Sequence, residues 1–213
     1  MNYERDRIIR MLEGTFIGES LEALSSLYDD VEDETESFCN TYSIHCGEGC
    51  GTCCEHFMPD ITPLEARMVA SYILLVRHDL ALVDRVMHSE GMDHCPLYDK
   101  EHPFHCTVYP ARPLICRLFA QCASANKEGK AEFRRCRYNT EETMPEHLSF
   151  LEKVPVMGDY GIRLRCLDGG DEEVDDLSIA VEKALPAIQI VWALAGTALG
   201  DDDDDSNPTP VAS

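Results

Sequence analysis

Positive charge is what this 213-residue sequence most conspicuously lacks: 18 Lys and Arg stand against 40 Asp and Glu, a formal net charge of −22. A chain this acidic has no general basic face with which to displace counterions from phosphates, so nucleic acid is excluded as a partner class. Long apolar runs are also missing. The longest, PAIQIVWALAGTALG at residues 186–200, is about fifteen residues against the roughly twenty needed to cross a bilayer, so no membrane span is expected. The opening MNYERDRIIRMLEG mixes acids and bases without a sustained apolar run. It does not read as a signal peptide, and the expected location is the cytoplasm. There is no G-x-G-x-x-G after a strand, no P-loop and no glycine-rich helix start, which leaves an enzyme reading without a nucleotide or S-adenosylmethionine site.

Cysteine, by contrast, is abundant: eleven residues, ten of them between Cys39 and Cys136. In a cytosolic chain glutathione and thioredoxin keep thiols reduced, so these are not read as a disulfide framework, and metal ligation is the leading account. The charge asymmetry points to the same block. Residues 95–140 carry 8 Lys and Arg against 4 Asp and Glu, whereas residues 1–94 carry 6 against 19 and residues 141–213 carry 4 against 17.

The densest stretch is HCGEGCGTCCEHF, residues 45–57, with four cysteines in nine positions and three intervening glycines. Gly47, Gly49 and Gly51 can close the turns that let thiolates converge on one centre. The C-x2-C spacing of Cys50 and Cys53 is shared by zinc knuckles and iron–sulfur loops. Cys53 and Cys54 are adjacent, and successive side chains usually diverge. That pair favours a multinuclear site, or a second centre, over one tetrahedral ion. Further along come Cys95-Pro96-Leu97, Cys106-Thr107-Val108-Tyr109 and Arg112-Pro113-Leu114-Ile115-Cys116-Arg117. These six cysteines, Cys50, Cys53, Cys54, Cys95, Cys106 and Cys116, are expected to meet in space. Four thiolates around Zn²⁺ or a [4Fe-4S]²⁺ core leave a net charge near −2, which Arg112, Arg117, Arg134, Arg135 and Arg137 are placed in sequence to offset.

The expected fold is mainly α with small β hairpins, helices packed around a cysteine-rich, loop-rich core. Residues 1–45 form a helical cover, with apolar spacings from Ile8 to Leu27 interrupted near Gly14 and Gly18. Residues 46–140 form the cysteine-cluster domain. Within it Thr62-Pro63-Leu64-Glu65 starts a helix running to about Arg77, and a second helix covers 79–89 before Gly91. The segment LFAQCASANKEGKAEFRRC reads as two strands around a turn at 126–129. Residues 141–200 supply another hairpin, in VPVMGDYGIRLRCL, and helices kinked or restarted at Pro186. Residues 201–213 read as a disordered acidic tail.

The combination C50-G-T-C-C54, T62-P-L-E65, C95-P-L and C106-T-V-Y-P-A-R-P-L-I-C-R117 resembles the YkgJ-like cysteine-cluster family, the CxxCxxCC zinc- or iron-chelating domains, over residues 46–140. The most specific element is Y-x-x-R-P-x-x-C-R, carried by Tyr109, Arg112, Pro113, Cys116 and Arg117. The resemblance implies metal ligation by Cys46, Cys50, Cys53, Cys54, Cys95, Cys106 and Cys116, with Cys136 as an eighth ligand. It also implies cofactor contacts from Arg112, Arg117 and Tyr109. Cys46 precedes Cys50 by four residues where the pattern has three. Cys122 competes with Cys136 for the late position. A hairpin pairing Ala125 with Lys130 turns Cys122 away from the face of Cys136, and that register is the one expected; pairing Ala125 with Ala131 puts both on one face. Cys39 and Cys166 read as inert thiols. Glu65 is accounted for as a helix cap. His45, His56, His94, His102 and His105 lie near cysteines without other evidence of coordination.

The function expected is that of an iron–sulfur protein, with a [4Fe-4S] cluster serving redox chemistry or electron transfer to a protein partner. The alternatives are a structural zinc protein acting as an interaction module, and a catalytic module related to the flagellin lysine methylases that the resemblance brings with it.

Overall fold

The computed structural model describes residues 3–46, 50–89, 91–139, 141–169 and 173–198, with side chains to residue 194. Seven α-helices and small antiparallel sheets make up the described residues, in the mainly α arrangement expected. Helix α1 (Tyr3–Met11) turns into the long α2 (Phe16–Tyr42). The break falls around Gly14, and the helix restarts when Thr15 accepts a bond from the Gly18 amide at 3.0 Å. Gly18 is therefore inside α2 and does not interrupt it. It is glycine because a Cβ there would lie 2.2 Å from the Leu12 carbonyl oxygen, where α1 closes against α2.

Strand β1 (Asp60–Ile61) leads into α3 (Pro63–Ser71), which begins with the full reciprocal cap: Glu65 N–H donates to Thr62 Oγ1 and Thr62 N–H to Glu65 Oε2. The helix continues as a π turn, Tyr72–Arg77, and stops at His78 in the left-handed region. Asp79 then caps α4 (Leu80–Met87). Helix α3 is apolar nearly all round, burying Leu64, Ala66, Met68, Val69 and Ala70, so it runs through the centre of the molecule. Helix α7 (Leu177–Ala198) packs on it through Leu177, Val181, Leu185 and Ile188. Each large apolar side chain so buried contributes about 1.5–3 kcal/mol. The window Leu177–Leu194 is long and apolar enough to cross a membrane by length and composition, a longer run than residues 186–200 alone; 39% of it is buried inside the molecule. Pro186 lies within α7 without ending it. One hydrophobic cluster draws on residues from Ile8 to Ile188, so the cover, the middle block and the C-terminal helix share a core.

Two expectations are corrected. Residues 154–167 are not a hairpin: Met157–Leu167 is helix α6, because Tyr160 and Leu164, four residues apart, turn one face inward toward α2 and α5. Tyr160 Oη donates to Glu34 Oε2 at 2.5 Å, and Arg163 pairs with Asp30 and Glu34, fastening α6 to α2. The other hairpin exists, as β2 (Ser124–Ala125) and β3 (Ala131–Arg134) with a third strand β4 (His147–Ser149), but its register pairs Ala125 with Ala131. Asn126 N–H to Lys130 O closes the turn inside that pair. A small second cluster, including Phe38, Ala123, Phe133 and Phe150, packs the sheet onto the end of α2. Strand β5 (Asp175–Asp176) pairs with β1. The expected tail, 201–213, lies outside the described residues.

Candidate metal centre

Three loops carry the cysteines to one place. The first, residues 50–57, turns tightly, with Cys54 N–H donating to Gly51 O at 2.8 Å and His56 N–H to Cys53 O at 3.2 Å. The second is tied to it directly: Cys95 N–H donates to Cys54 O at 3.1 Å. Residues 95–98 and 105–107 then clip together. Tyr98 bridges Cys106, and Thr107 donates to Leu97 O through both its amide and its hydroxyl. Gly51 sits hard against this clip, because a Cβ on it would be 2.1 Å from His105 Cβ. The third segment is the short helix α5 (Leu114–Leu118), which carries Cys116.

That helix is aimed by two buried charges. Glu65, 3% exposed, accepts Leu114 N–H at 2.7 Å in addition to capping α3, so one carboxylate joins the starts of α3 and α5. Burial pushes its pKa up, opposed by the amides of Thr62 and Leu114. Arg117, 2% exposed, donates to Arg112 O at 2.9 Å and Pro110 O at 2.7 Å, pairs with Glu32 of α2, and lies 4.0 Å over the Tyr28 ring. Burial lowers its pKa to about 10. Arg5 from α1 joins the same knot, bonding Asp29 at 2.5 Å, Ser25 at 3.1 Å and Pro110 O at 3.4 Å.

In front of this frame the thiols surround two adjoining cavities. The first, about 80 Å³, is lined by Cys50, Cys53, Cys54, Cys95, Cys106 and Cys116. The second, about 230 Å³, is lined by Cys46, Cys50, Cys53, Cys116 and Cys136. The six cysteines expected to meet do so, although 66 residues separate the first from the last. Cys136 faces the second cavity, whereas Cys122 donates to Leu118 O at 3.4 Å and neighbours Cys39, whose own thiol bonds Gln121 O. The register named above would put both on one face. It does not, because both cysteines lie beyond the paired strands, where alternation no longer governs them. Cys166 is exposed.

The thiols titrate as a crowded buried set. Burial pushes Cys95 up to about 12 and raises Cys106 and Cys116. Cys46 rises to about 12 through burial and its neighbour Cys50. The contact between the Cys53 and Cys54 sulfurs, 3.9 Å apart, raises Cys54 and, aided by backbone amides, lowers Cys53 to about 6. Crowded thiols become thiolates together only when positive charge enters among them, which is what metal ligation supplies. Backbone amides already face the sulfurs: those of Leu97 and Tyr98 at Cys95, and that of Val108 at Cys106. Arg112 lines both cavities above the Tyr109 ring, at 4.0 Å, and its buried Nε has no hydrogen-bond partner. A sulfur-rich donor set with an unused buried N–H beside it fits a metal or an iron–sulfur cluster. Among the described residues, no three His, Cys, Asp or Glu side chains are already drawn to the spacing of a single ion.

Of the arginines expected to offset charge, Arg112 faces the thiols. Arg117 stands behind them as a fastening of the 110–112 loop, Arg134 and Arg135 pair with Glu132 and Glu146, and Arg137 lies on Tyr138. None of the five histidines lines either cavity; His45, for example, bonds Glu141 at 2.5 Å. Tyr109 lines both and stacks on Phe104 at 4.4 Å. The sequence reading did not single out Phe57, Phe104 and Phe119, part-exposed aromatics around the mouth, nor Glu32, Tyr28 and Arg5 behind it. The aromatics were visible as neighbours of cysteines. The others lie 78 or more residues from the loop they hold and carry no local signal.

The tight approach at Gly51 gives a direct expectation. Gly51→Ala must drive the cysteine loop away from the His105 turn, at about 1–3 kcal/mol for overpacking. Thermal unfolding of the loaded protein should show the loss, and an unchanged midpoint would mean the loop is not seated on that turn.

Comparison with curated proteins and with solved structures gives no match. Residues 45–143 match the family described as "CxxCxxCC: Putative zinc- or iron-chelating domain", a span containing every cysteine on the two cavities. The match covers the middle block of the chain, and its description supports metal binding through the clustered cysteines.

Proposed function

We propose that the protein holds an iron–sulfur cluster, of the [4Fe-4S] type, through these cysteines and uses it for electron transfer. The observation carrying this reading is the 80 Å³ cavity with six thiols from three chain segments around its walls. A multi-atom cluster takes its thiolates from around such a space, whereas one Zn²⁺ draws four sulfurs to about 2.3 Å from a single point. The cluster would supply one-electron chemistry. The chain's own part is to bind and tune it: amides at Cys95 and Cys106 and the free Nε of Arg112 supply hydrogen bonds to sulfur, and burial sets the dielectric. Phe57 and Phe119, stacked at 6.4 Å and part-exposed, offer a protein redox partner an apolar landing beside the site. The setting proposed is the cytoplasm, with neither nucleic acid nor membrane as partner.

A zinc reading has one observation of its own. The 3.9 Å between the Cys53 and Cys54 sulfurs is close to that of two thiolates on one tetrahedral zinc, about 3.8 Å from the Zn–S length. Zinc would make the loops a closed structural core presenting the helices to a partner. The two readings separate on purification under anaerobic conditions. The iron–sulfur protein is coloured and carries iron with acid-labile sulfide; colourless protein with stoichiometric zinc and no sulfide refutes the proposal.

A further inference from the structure

Resting on the reading that these thiols are metal ligands, we infer that they serve two separate four-thiolate centres at different depths. The inner centre belongs to Cys54, Cys95, Cys106 and Cys116, and the outer one to Cys46, Cys50, Cys53 and Cys136. The cavities make the division. Cys54, Cys95 and Cys106 line only the smaller cavity, and Cys46 and Cys136 line only the larger. Cys50, Cys53 and Cys116 stand on the wall between the two. Neighbour relations assign these three. Cys46 has Cys50, Cys136 and Cys53 around it, while Cys116 has Cys95 and Cys106; Cys53 also neighbours Cys54, at 3.9 Å, and Cys106, and its place in the outer set rests on Cys46 and on the larger cavity that Cys54 and Cys106 do not line.

Depth follows the same line. The buried extreme, Cys95 at 7% exposed, falls in the inner set and the exposed extremes, Cys46 and Cys50, in the outer set, while Cys53 and Cys136 are half-buried like Cys54, Cys106 and Cys116. The adjacent Cys53 and Cys54 then have complementary tasks, one sulfur to each centre, with the 3.9 Å between them spanning the wall that separates the two. Charge favours the division too. Eight thiolates around one dication leave −6 by addition, but four around each of two leave −2 at each, with Arg112 on both walls. The outer cavity also adjoins an open cleft that shares Cys46, Arg112 and Gln121 with it and reaches Glu32, Glu36 and His45 at the surface. The outer centre is the exchangeable one, and the inner is the permanent one.

The test uses the full chain, purified anaerobically, with metal and sulfide content measured before and during exposure to a hydrophilic chelator: bathophenanthroline disulfonate for iron, pyridylazoresorcinol for zinc. Release should be biphasic with equal amplitudes, the fast phase from the outer centre. The variant Cys46→Ser/Cys136→Ser should keep half the metal of the unsubstituted chain and show only the slow phase. Both substitutions lie at the exposed cavity, and retained helicity by circular dichroism verifies folding. Release of all metal in one phase, or a double variant with either full or no metal, overturns the two-centre assignment while leaving a metalloprotein. Biphasic release of zinc alone upholds two centres and removes the iron–sulfur reading. A chain that binds no metal overturns both.

Discussion

Stripping the metal from the reduced protein should open residues 45–57 and 91–113 to protease while helices α1, α2, α3 and α7 stay protected. The described residues of those two segments contain turns, bends, an isolated bridge and a single 3-10 turn, with few of the backbone ladders that stabilise a helix or sheet on its own. Hydrogen bonds and the Arg117 fastening hold them in part, and the larger share would come from metal ligation by their sulfurs, since structural metal binding is worth on the order of 10 kcal/mol at neutral pH. The helical core instead rests on buried aliphatic side chains such as Leu64, Met68, Val181 and Ile188, although Cys95 borders the same cluster. Acidity sharpens the result. Ligation displaces protons, and Cys95 is raised from 9.0 to about 12, so protons compete better as pH falls and chelation should accelerate from pH 9 to pH 6. The metal-free fold runs the other way. A thiol with a raised folded pKa contributes stability that is present below pH 9 and lost as pH climbs toward 12. Limited proteolysis with mass mapping, with and without chelator, reads the opening; identical digestion patterns would mean that the loops stand by packing alone.

Replacing Arg117 by methionine should cost about 3 kcal/mol of stability in the loaded protein, far more than an ordinary surface charge. The side chain is 2% exposed, and its loss leaves the Arg112 carbonyl short of a donor and the Pro110 carbonyl and Glu32 with the longer Arg5 contacts, at 3.4 Å. Glu32 is 37% exposed, so water recovers part of its charge, which keeps the figure at the lower end for a broken buried pair. Arg117→Lys should not restore the loss, because an ammonium cannot reach two carbonyls and a carboxylate with the geometry of a guanidinium fork. The lever reaches the site as well. The 110–112 loop positions Tyr109 and Arg112 on both cavities, so a looser loop should speed metal release. Urea unfolding of the loaded variant reads the stability, and a change under 1 kcal/mol would show the knot to be dispensable.

The helix starts at Thr62 and Asp79 were legible because capping chemistry is local: hydroxyl or carboxylate, then an amide three residues on. The convergence of the six cysteines was legible for a different reason, since thiols at such density, read as reduced, have few other uses. Residues 154–167 were misread because Val154, Val156 and a Gly-Asp pair imitate strand and turn, while the deciding pair, Tyr160 and Leu164, is meaningful only against α2. The hairpin register turned on one residue of turn length, which the Asn126–Gly129 stretch does not fix by composition. Arg117 looked like a counter-charge for the thiols because it follows Cys116 directly. Its actual partner, Glu32, is 85 residues away, a distance over which sequence proximity carries no information.

The central claim is that sulfur from these cysteines, and little else, surrounds an iron–sulfur cluster. X-ray absorption at the metal edge of the anaerobically purified chain tests it most directly. The account predicts an iron edge whose first shell is sulfur and whose second shell is iron; an iron shell dominated by oxygen or nitrogen, or a zinc edge with sulfur neighbours and no metal–metal scattering, would contradict it.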